Sequence, residues 1–294
     1  MEAINGIIII DKPSGFTSHD VVAKLRGILK TKRIGHGGTL DPIATGVLPI
    51  FIGRATRAVE FCESFDKEYI AGIQFGITTD TQDITGTILN VCEATITAEE
   101  LEAISPQFLY AQKQVPPMYS AIKIKGKKLY ELARKGIEIK RPARDIYISK
   151  LEILSFNDAD KAQFVITCSK GTYIRTLCHD IGQVLGCGAV MSELRRTRVG
   201  NFTLSKAHTL EDVTESVCKK DIDKIIIPTE TLFENYPIIK LNEIDTKKCK
   251  NGAICYIEGI MDGKYRTYST TGEFLAFSEA QNNKLKTIKS FFIL

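Results

Sequence analysis

The reading of this 294-residue chain turns on one stretch: Arg33-Ile34-Gly35-His36-Gly37-Gly38-Thr39-Leu40-Asp41-Pro42-Ile43-Ala44-Thr45-Gly46-Val47-Leu48-Pro49. Its four glycines and two prolines set backbone conformations that other residues avoid. A single carboxylate, Asp41, sits at the centre, and a proline follows at once. Two roles fit: a turn-forming aspartate, or a catalytic aspartate on a rigid loop. Local composition does not separate them.

On the N-terminal side, Asn5–Ile10 reads as a buried strand and Lys12-Pro13-Ser14-Gly15 as a turn. From Ser18 to Lys30 the apolar positions Val21, Val22, Leu25, Ile28 and Leu29 repeat at helical spacing, with Ser18 as the expected N-cap. On the C-terminal side, Val47–Ile52 reads as a strand and Arg54–Cys62 as a short helix. Glu68–Phe75 alternates as a strand, with Thr85–Cys92 expected as its hairpin partner. Thr97-Ala98-Glu99-Glu100 is a capping box opening a short helix. Leu129–Lys135 is a helix stopped at Gly136. Ile146–Phe156 and Gln163–Ser169 are strands, and Thr172–Leu185 is a helix ended by Gly186. Hairpin-like stretches without a βαβ rhythm point to an α+β fold with a largely antiparallel sheet. The length suggests about two domains at roughly 100–200 residues each. A boundary is expected at Pro228–Pro237, with a small β module after it.

Two further stretches carry chemistry. Cys168-Ser169-Lys170-Gly171-Thr172-Tyr173-Ile174-Arg175-Thr176 runs from strand through a glycine turn into a helix start. Arg175 falls where the helix end is already positive, so it serves an anion, a carboxylate or a phosphate, better than it serves the helix; a plain surface arginine is the alternative. The other stretch is Lys113–Lys150, with eleven basic and three acidic residues and with Tyr119 and Tyr130 interleaved. It accounts for the basic excess of the middle third of a chain whose formal net charge is only +4. Cations and aromatics together suit a phosphodiester backbone with unstacked bases; a solvated basic face is the alternative.

The eight cysteines form no CxxC pair and read as reduced thiols. There is no HExxH, P-loop or credible dinucleotide fingerprint, so neither metal nor cofactor is expected. No apolar run nears the ~18–20 residues that span a bilayer, and the N-terminal residues lack a signal pattern. A cytoplasmic protein without a membrane partner is expected.

These stretches, together with Asp11-Lys12-Pro13-Ser14-Gly15-Phe16-Thr17-Ser18, closely resemble the bacterial tRNA pseudouridine-55 synthases, the TruB family. The likeness covers most of residues 4–230. Lys67-Glu68-Tyr69, the segment from Phe75 to Gly86, Pro116–Arg134, Ser169–Gly182 and Leu194–Gly200 follow in family order. The resemblance implies the pseudouridine synthase fold over residues 1–231 and a short PUA-like RNA-binding module over residues 232–294. It implies isomerisation of uridine 55 in the T-stem-loop of tRNA, by a monomer working without guide RNA. It places the catalytic aspartate at Asp41 and its arginine partner at Arg175. Tyr69 would stack on the target uracil and Leu194 would wall the pocket. His36 would pack beside the flipped nucleotide, and Lys12 and Tyr173 lie at motif positions near the pocket. Gly37 stands where many members of the family carry another small residue.

Overall fold

The computed structural model describes residues 4–124, 126–158 and 160–292. Lys125, part of the basic stretch, lies outside the described residues.

Strand β1 (Gly6–Lys12) is buried on both faces, as its run of four isoleucines requires. Helix α1 (Ser18–Ile28) follows. Its cap is Thr17 rather than Ser18: the Thr17 hydroxyl accepts from the Asp20 N–H, and the Asp20 carboxylate accepts from the Thr17 N–H. Ser18 is buried instead, with its hydroxyl on the main chain of Leu40. The glycine-rich stretch is not loop throughout, because β2 (Ile34–His36) forms inside it and pairs with β3 (Thr45–Ile52). After β3 come a 3-10 turn (Gly53–Ala58) and α2 (Val59–Glu63).

Strand β4 (Lys67–Phe75) does not pair with the segment 85–92. Gly76, at φ +81°, turns the chain off the sheet, and a Cβ there would lie 2.5 Å from the Cys92 carbonyl oxygen. Strands β5 (Ile77–Thr79) and β6 (Ile88–Val91) therefore form a separate two-stranded hairpin. Helix α3 (Ala98–Ile104) opens on the expected capping box at Thr97. Then come β7 (Tyr110–Gln114), a small ribbon of β8 (Lys123–Ile124) and β9 (Lys127–Lys128), and the short α4 (Leu129–Ala133). The long hairpin of β10 (Arg144–Asp158) and β11 (Lys161–Cys168) leads through a glycine turn into α5 (Ile174–Val184). Strand β12 (Ala189–Val199), β13 (Phe202–Thr203) and α6 (Leu210–Lys219) complete this part of the molecule.

The main sheet runs β1-β3-β12-β4-β11-β10-β7, with β2 and β13 attached at β3 and β12. Only the β3–β12 contact is parallel, so the sheet is mixed and largely antiparallel. That junction is tight: at Gly46, φ +100°, a Cβ would lie 2.2 Å from the Arg196 carbonyl oxygen.

A second sheet of five strands holds β14 (Ile238–Lys240), β15 (Cys255–Tyr256), β16 (Gly263–Tyr268), β17 (Phe274–Gln281) and β18 (Lys284–Ser290). Helix α7 (Glu243–Lys250) follows its first strand. The second sheet is joined to the first by one apolar cluster in which Phe277 and Phe291 pack with Phe233, Ile7 and Phe51. No helix among the described residues is long and apolar enough to cross a membrane.

Candidate active site

Asp41 sits between β2 and β3 on a loop held from three sides. The Ser18 hydroxyl accepts from the Leu40 N–H at 2.9 Å. The Pro42 carbonyl accepts from the Gly15 N–H at 2.9 Å. Lys12 Nζ donates to the Pro13, Phe16 and Pro42 carbonyl oxygens at 2.8, 2.6 and 3.3 Å. Lys12 is fully buried, and burial lowers its pKa to about 8. Its ammonium is spent on main-chain oxygens, so it fixes the turn beneath Asp41 and presents no charge at an open surface. Gly37 has a local reason too: a Cβ there would lie 2.7 Å from Cys62 Sγ and 2.8 Å from the Phe51 ring.

Arg175 reaches this loop from the first turn of α5. Its Nε lies 2.9 Å from Asp41 Oδ2 and its Nη2 donates to Asp41 Oδ1 at 3.2 Å, a two-point grip. The guanidinium is 5% exposed, whereas the Asp41 side chain keeps 35% of its surface open. The carboxylate is therefore the accessible member of the pair. Arg175 also donates to the Thr81 carbonyl at 3.0 Å and the Tyr119 carbonyl at 2.8 Å, and its Nη1 lies 3.7 Å from Asp83 Oδ2. Burial pushes the Asp41 carboxyl up; the Arg175 guanidinium pulls it back, and the Asp83 charge adds to the rise.

Tyr69 on β4 and Leu194 on β12 belong to the same buried cluster as Leu40 and Ile174, the chain neighbours of Asp41 and Arg175. Leu194 lies opposite Ala71 and Arg196 opposite Tyr69 across the β4–β12 pair, so these side chains share a face. Burial raises the Tyr69 phenol to about 12, with the Arg196 guanidinium opposing. Tyr173 precedes α5. Its N–H donates to Gln114 Oε1 at 2.8 Å, and its carbonyl accepts from Gln114 Nε2 at 3.0 Å. His36 ends β2 at the far side of the loop, edge-on to His19 with ring centroids 5.3 Å apart. Burial lowers its pKa to about 4, and its Nδ1 has no partner among the described residues.

The structure thus joins Asp41 to Arg175, sets Tyr69, Leu194 and Tyr173 near that pair, puts Lys12 beneath the loop and leaves His36 at the end of β2 against His19. Several other side chains build the site without having been singled out from the sequence. Asp83 ties its own turn through Thr81 and Thr85 and faces Arg175. Gln82 accepts from the Thr176 hydroxyl at 2.8 Å. Arg196 is buried and donates to the Val47 and Gly38 carbonyls at 2.7 and 3.1 Å. The Phe75–Gly86 motif was the available signal for the first two and the Leu194–Gly200 motif for the third, but neither says which of its side chains turns inward. In the basic stretch, Lys113, Arg141 and Lys150 are paired with Asp145, Glu138 and Glu152. Among the described residues no cluster of His, Cys, Asp and Glu could hold a metal.

A nine-stranded mixed sheet, with an accessible aspartate on one of its loops held by a buried arginine from a flanking helix, fits the class that the comparisons show, the pseudouridine synthases. The comparisons give the family. The profile of the TruB family pseudouridylate synthase N-terminal domain matches residues 26–174, and that of the tRNA pseudouridylate synthase B C-terminal domain matches residues 175–234. A tRNA pseudouridine synthase B of Syntrophomonas wolfei is 40% identical over 97% of this chain and 96% of its own. One of Alkaliphilus oremlandii is 46% identical over 88% and 85%. The Cbf5 chain of an archaeal box H/ACA sRNP complex with Nop10 superposes with a TM-score of 0.73 at 28% identity, covering 98% of this chain and 86% of that one. The chain belongs to the TruB family of pseudouridylate synthases.

Proposed function

We propose that the protein isomerises uridine 55 in the T-loop of tRNA to pseudouridine, acting alone as a monomer. The N1–C1′ bond of the uridine breaks, the uracil rotates, and a C5–C1′ bond forms; the C5 proton is lost and N1 gains one. Atoms and electrons balance within the nucleoside, so no redox partner, nucleotide or metal enters. The observation that carries this reading is the Asp41–Arg175 pair: one carboxylate, gripped at 2.9 and 3.2 Å by a buried guanidinium and itself left accessible.

The pair supplies an oriented anion beside the sugar. Asp41 can attack C1′ as a nucleophile or take a proton from the sugar, and both routes need it ionised. Tyr69 stacks on the flipped uracil, and Leu194 closes the apolar wall. Flipping costs a few kcal/mol of lost stacking, offset by phosphate contacts and by a neutral His36 ring packing on the neighbouring bases. Residues 1–231 act as the catalytic domain and residues 232–294 as a PUA-like RNA-binding module.

The test is site-mapping of pseudouridine in an unmodified T-arm hairpin treated with purified protein and no other RNA. Wild type should convert uridine 55. Asp41→Asn should keep RNA affinity within about threefold and form no detectable product. Full activity in that variant would overturn the catalytic assignment. A wild type that binds without converting would make the chain a tRNA-binding protein, and conversion only with a guide RNA would remove the stand-alone reading.

A further inference from the structure

One turn beside the ion pair is bent into a conformation that glycine favours, and no glycine stands there. Gln82 sits at φ +65°, in the left-handed region where a Cβ crowds the following carbonyl. The turn around it is bound into one piece. The Asp83 carboxylate accepts from the Thr81 and Thr85 hydroxyls at 2.8 and 2.6 Å, and the Asp83 carbonyl accepts from the Thr79 hydroxyl at 2.7 Å. Main-chain bonds seat the turn on β12. The Gln82 carbonyl accepts from the Met191 N–H at 3.1 Å, and the Met191 carbonyl accepts from the Ile84 N–H at 3.0 Å.

Two polar contacts carry the turn across to α5, and they use consecutive residues. The Thr81 carbonyl accepts from Arg175 Nη1 at 3.0 Å. The Gln82 side chain reaches the next residue, its Oε1 accepting from the Thr176 hydroxyl at 2.8 Å. Thr176 is 3% exposed, so its hydroxyl needs a partner inside the protein. A helical threonine can give that proton to the carbonyl four residues back; here it goes to Gln82. The first contact uses the guanidinium that grips Asp41, and the second does not. The Gln82–Thr176 bond therefore sets the first turn of α5 against residues 79–83 without touching the ion pair itself. With that placement fixed, Nη1 is taken by Thr81 and faces Asp83, and Nε and Nη2 meet Asp41.

We propose that Gln82 is a positioning residue for the isomerisation: its amide locks the 79–83 turn to α5 and so fixes the angle at which Arg175 meets Asp41. This rests on the RNA-modifying reading above. The left-handed backbone is part of the device, because one residue then ties the turn to β12 through its carbonyl and to α5 through its side chain.

The test is the kinetics of pseudouridine formation in T-arm RNA. Gln82→Gly adopts the left-handed backbone without strain and deletes the amide. Thr176→Val deletes the same bond from the other side with little change of shape. Each should lower kcat about tenfold, the scale of a misaligned catalytic group, and leave KM within about twofold of wild type. The double variant should be no slower than the slower single one, because both remove one bond. Thr176→Ser, which restores the hydroxyl, should recover most of the rate that Thr176→Val loses. In Gln82→Gly the acidic limb of kcat/KM should move to higher pH. A looser Arg175 restrains the Asp41 carboxyl less, while Asp83 and Lys12, the other charges near it, stay in place. An active wild type with kcat within about twofold in Gln82→Gly, or with additive losses in the double variant, would overturn the proposal. So would a loss confined to KM, which would make Gln82 an RNA contact. A wild type that forms no pseudouridine would instead overturn the function on which it rests, so the two failures are distinguishable.

Discussion

At the scale of single residues, the site is an argument about one charge. Burial raises the Asp41 carboxyl and Arg175 restrains the rise. The proposed chemistry needs the carboxylate, so kcat/KM should fall on the acid side at a pH above that of an ordinary aspartate, near 3.9. Removing the cation removes the restraint: the carboxylate is then less favoured, its pKa rises further, and the acidic limb moves to higher pH. Arg175→Gln should therefore move that limb up, and Arg175→Lys, which keeps the charge but not the two-point grip, should move it less. A pH–rate profile of the three proteins checks this, and a limb that stays in place in Arg175→Gln would sink the ion-pair account. His36 is the opposite case. With its pKa lowered to about 4 it stays neutral across the working range and adds no limb of its own.

At the scale of elements, one side chain holds the arginine's helix in place. Gln114, 5% exposed at the end of β7, uses both ends of its amide on the main chain of Tyr173, directly before α5. No side chain of Tyr173 caps that helix. Gln114→Ala should cost about 1–3 kcal/mol by denaturant titration, the net worth of two buried hydrogen bonds. It should also lower kcat, because Arg175 sits in the turn that is freed. Such couplings explain what could be read in advance. The isoleucines of β1, the Thr97 capping box and the helical period of α5 signal themselves locally, and those elements match their expected places closely. Strand β12 does not: register shifts at Met191/Glu193 and Arg196/Arg198 break its alternation, and Arg196 is buried where an apolar residue would be looked for. The segment 85–92 pairs with β5 instead of β4 because Gly76 redirects the chain, and a lone glycine does not say which strand is left unpaired. The site was legible as motifs. Asp41 and Arg175 are 134 residues apart, and no spacing predicts that pairing; it came from the family resemblance. Asp83 and Gln114 act through long-range contacts that only the folded chain reveals.

At the scale of the whole molecule, the question is whether the second sheet hangs on a linker or is part of one body. Phe233 stacks on Phe277 with ring centroids 4.3 Å apart, and Phe61 meets both edge-on at 5.1 and 5.5 Å. Phe277 comes from the middle of β17, Phe61 from α2, and Phe233 from the segment that joins the two sheets. The aromatic cluster therefore makes the stability of each sheet depend on the other, and wild type should unfold in a single calorimetric transition. Phe277→Ala removes a ring that is 2% exposed and packed on three sides. Its cost should be ~3–5 kcal/mol, the usual range for a buried phenylalanine. Because the lost contacts lie at the junction, the transition should also split, with the five-stranded sheet melting first. A variant that melts in one transition within a degree of wild type would show that Phe277 does not couple the sheets, and a wild type that already melts in two would show that the two sheets are stable independently. In that case the second sheet could move without disturbing Asp41, and RNA contacts made there would add to affinity without being coupled to the geometry of the site.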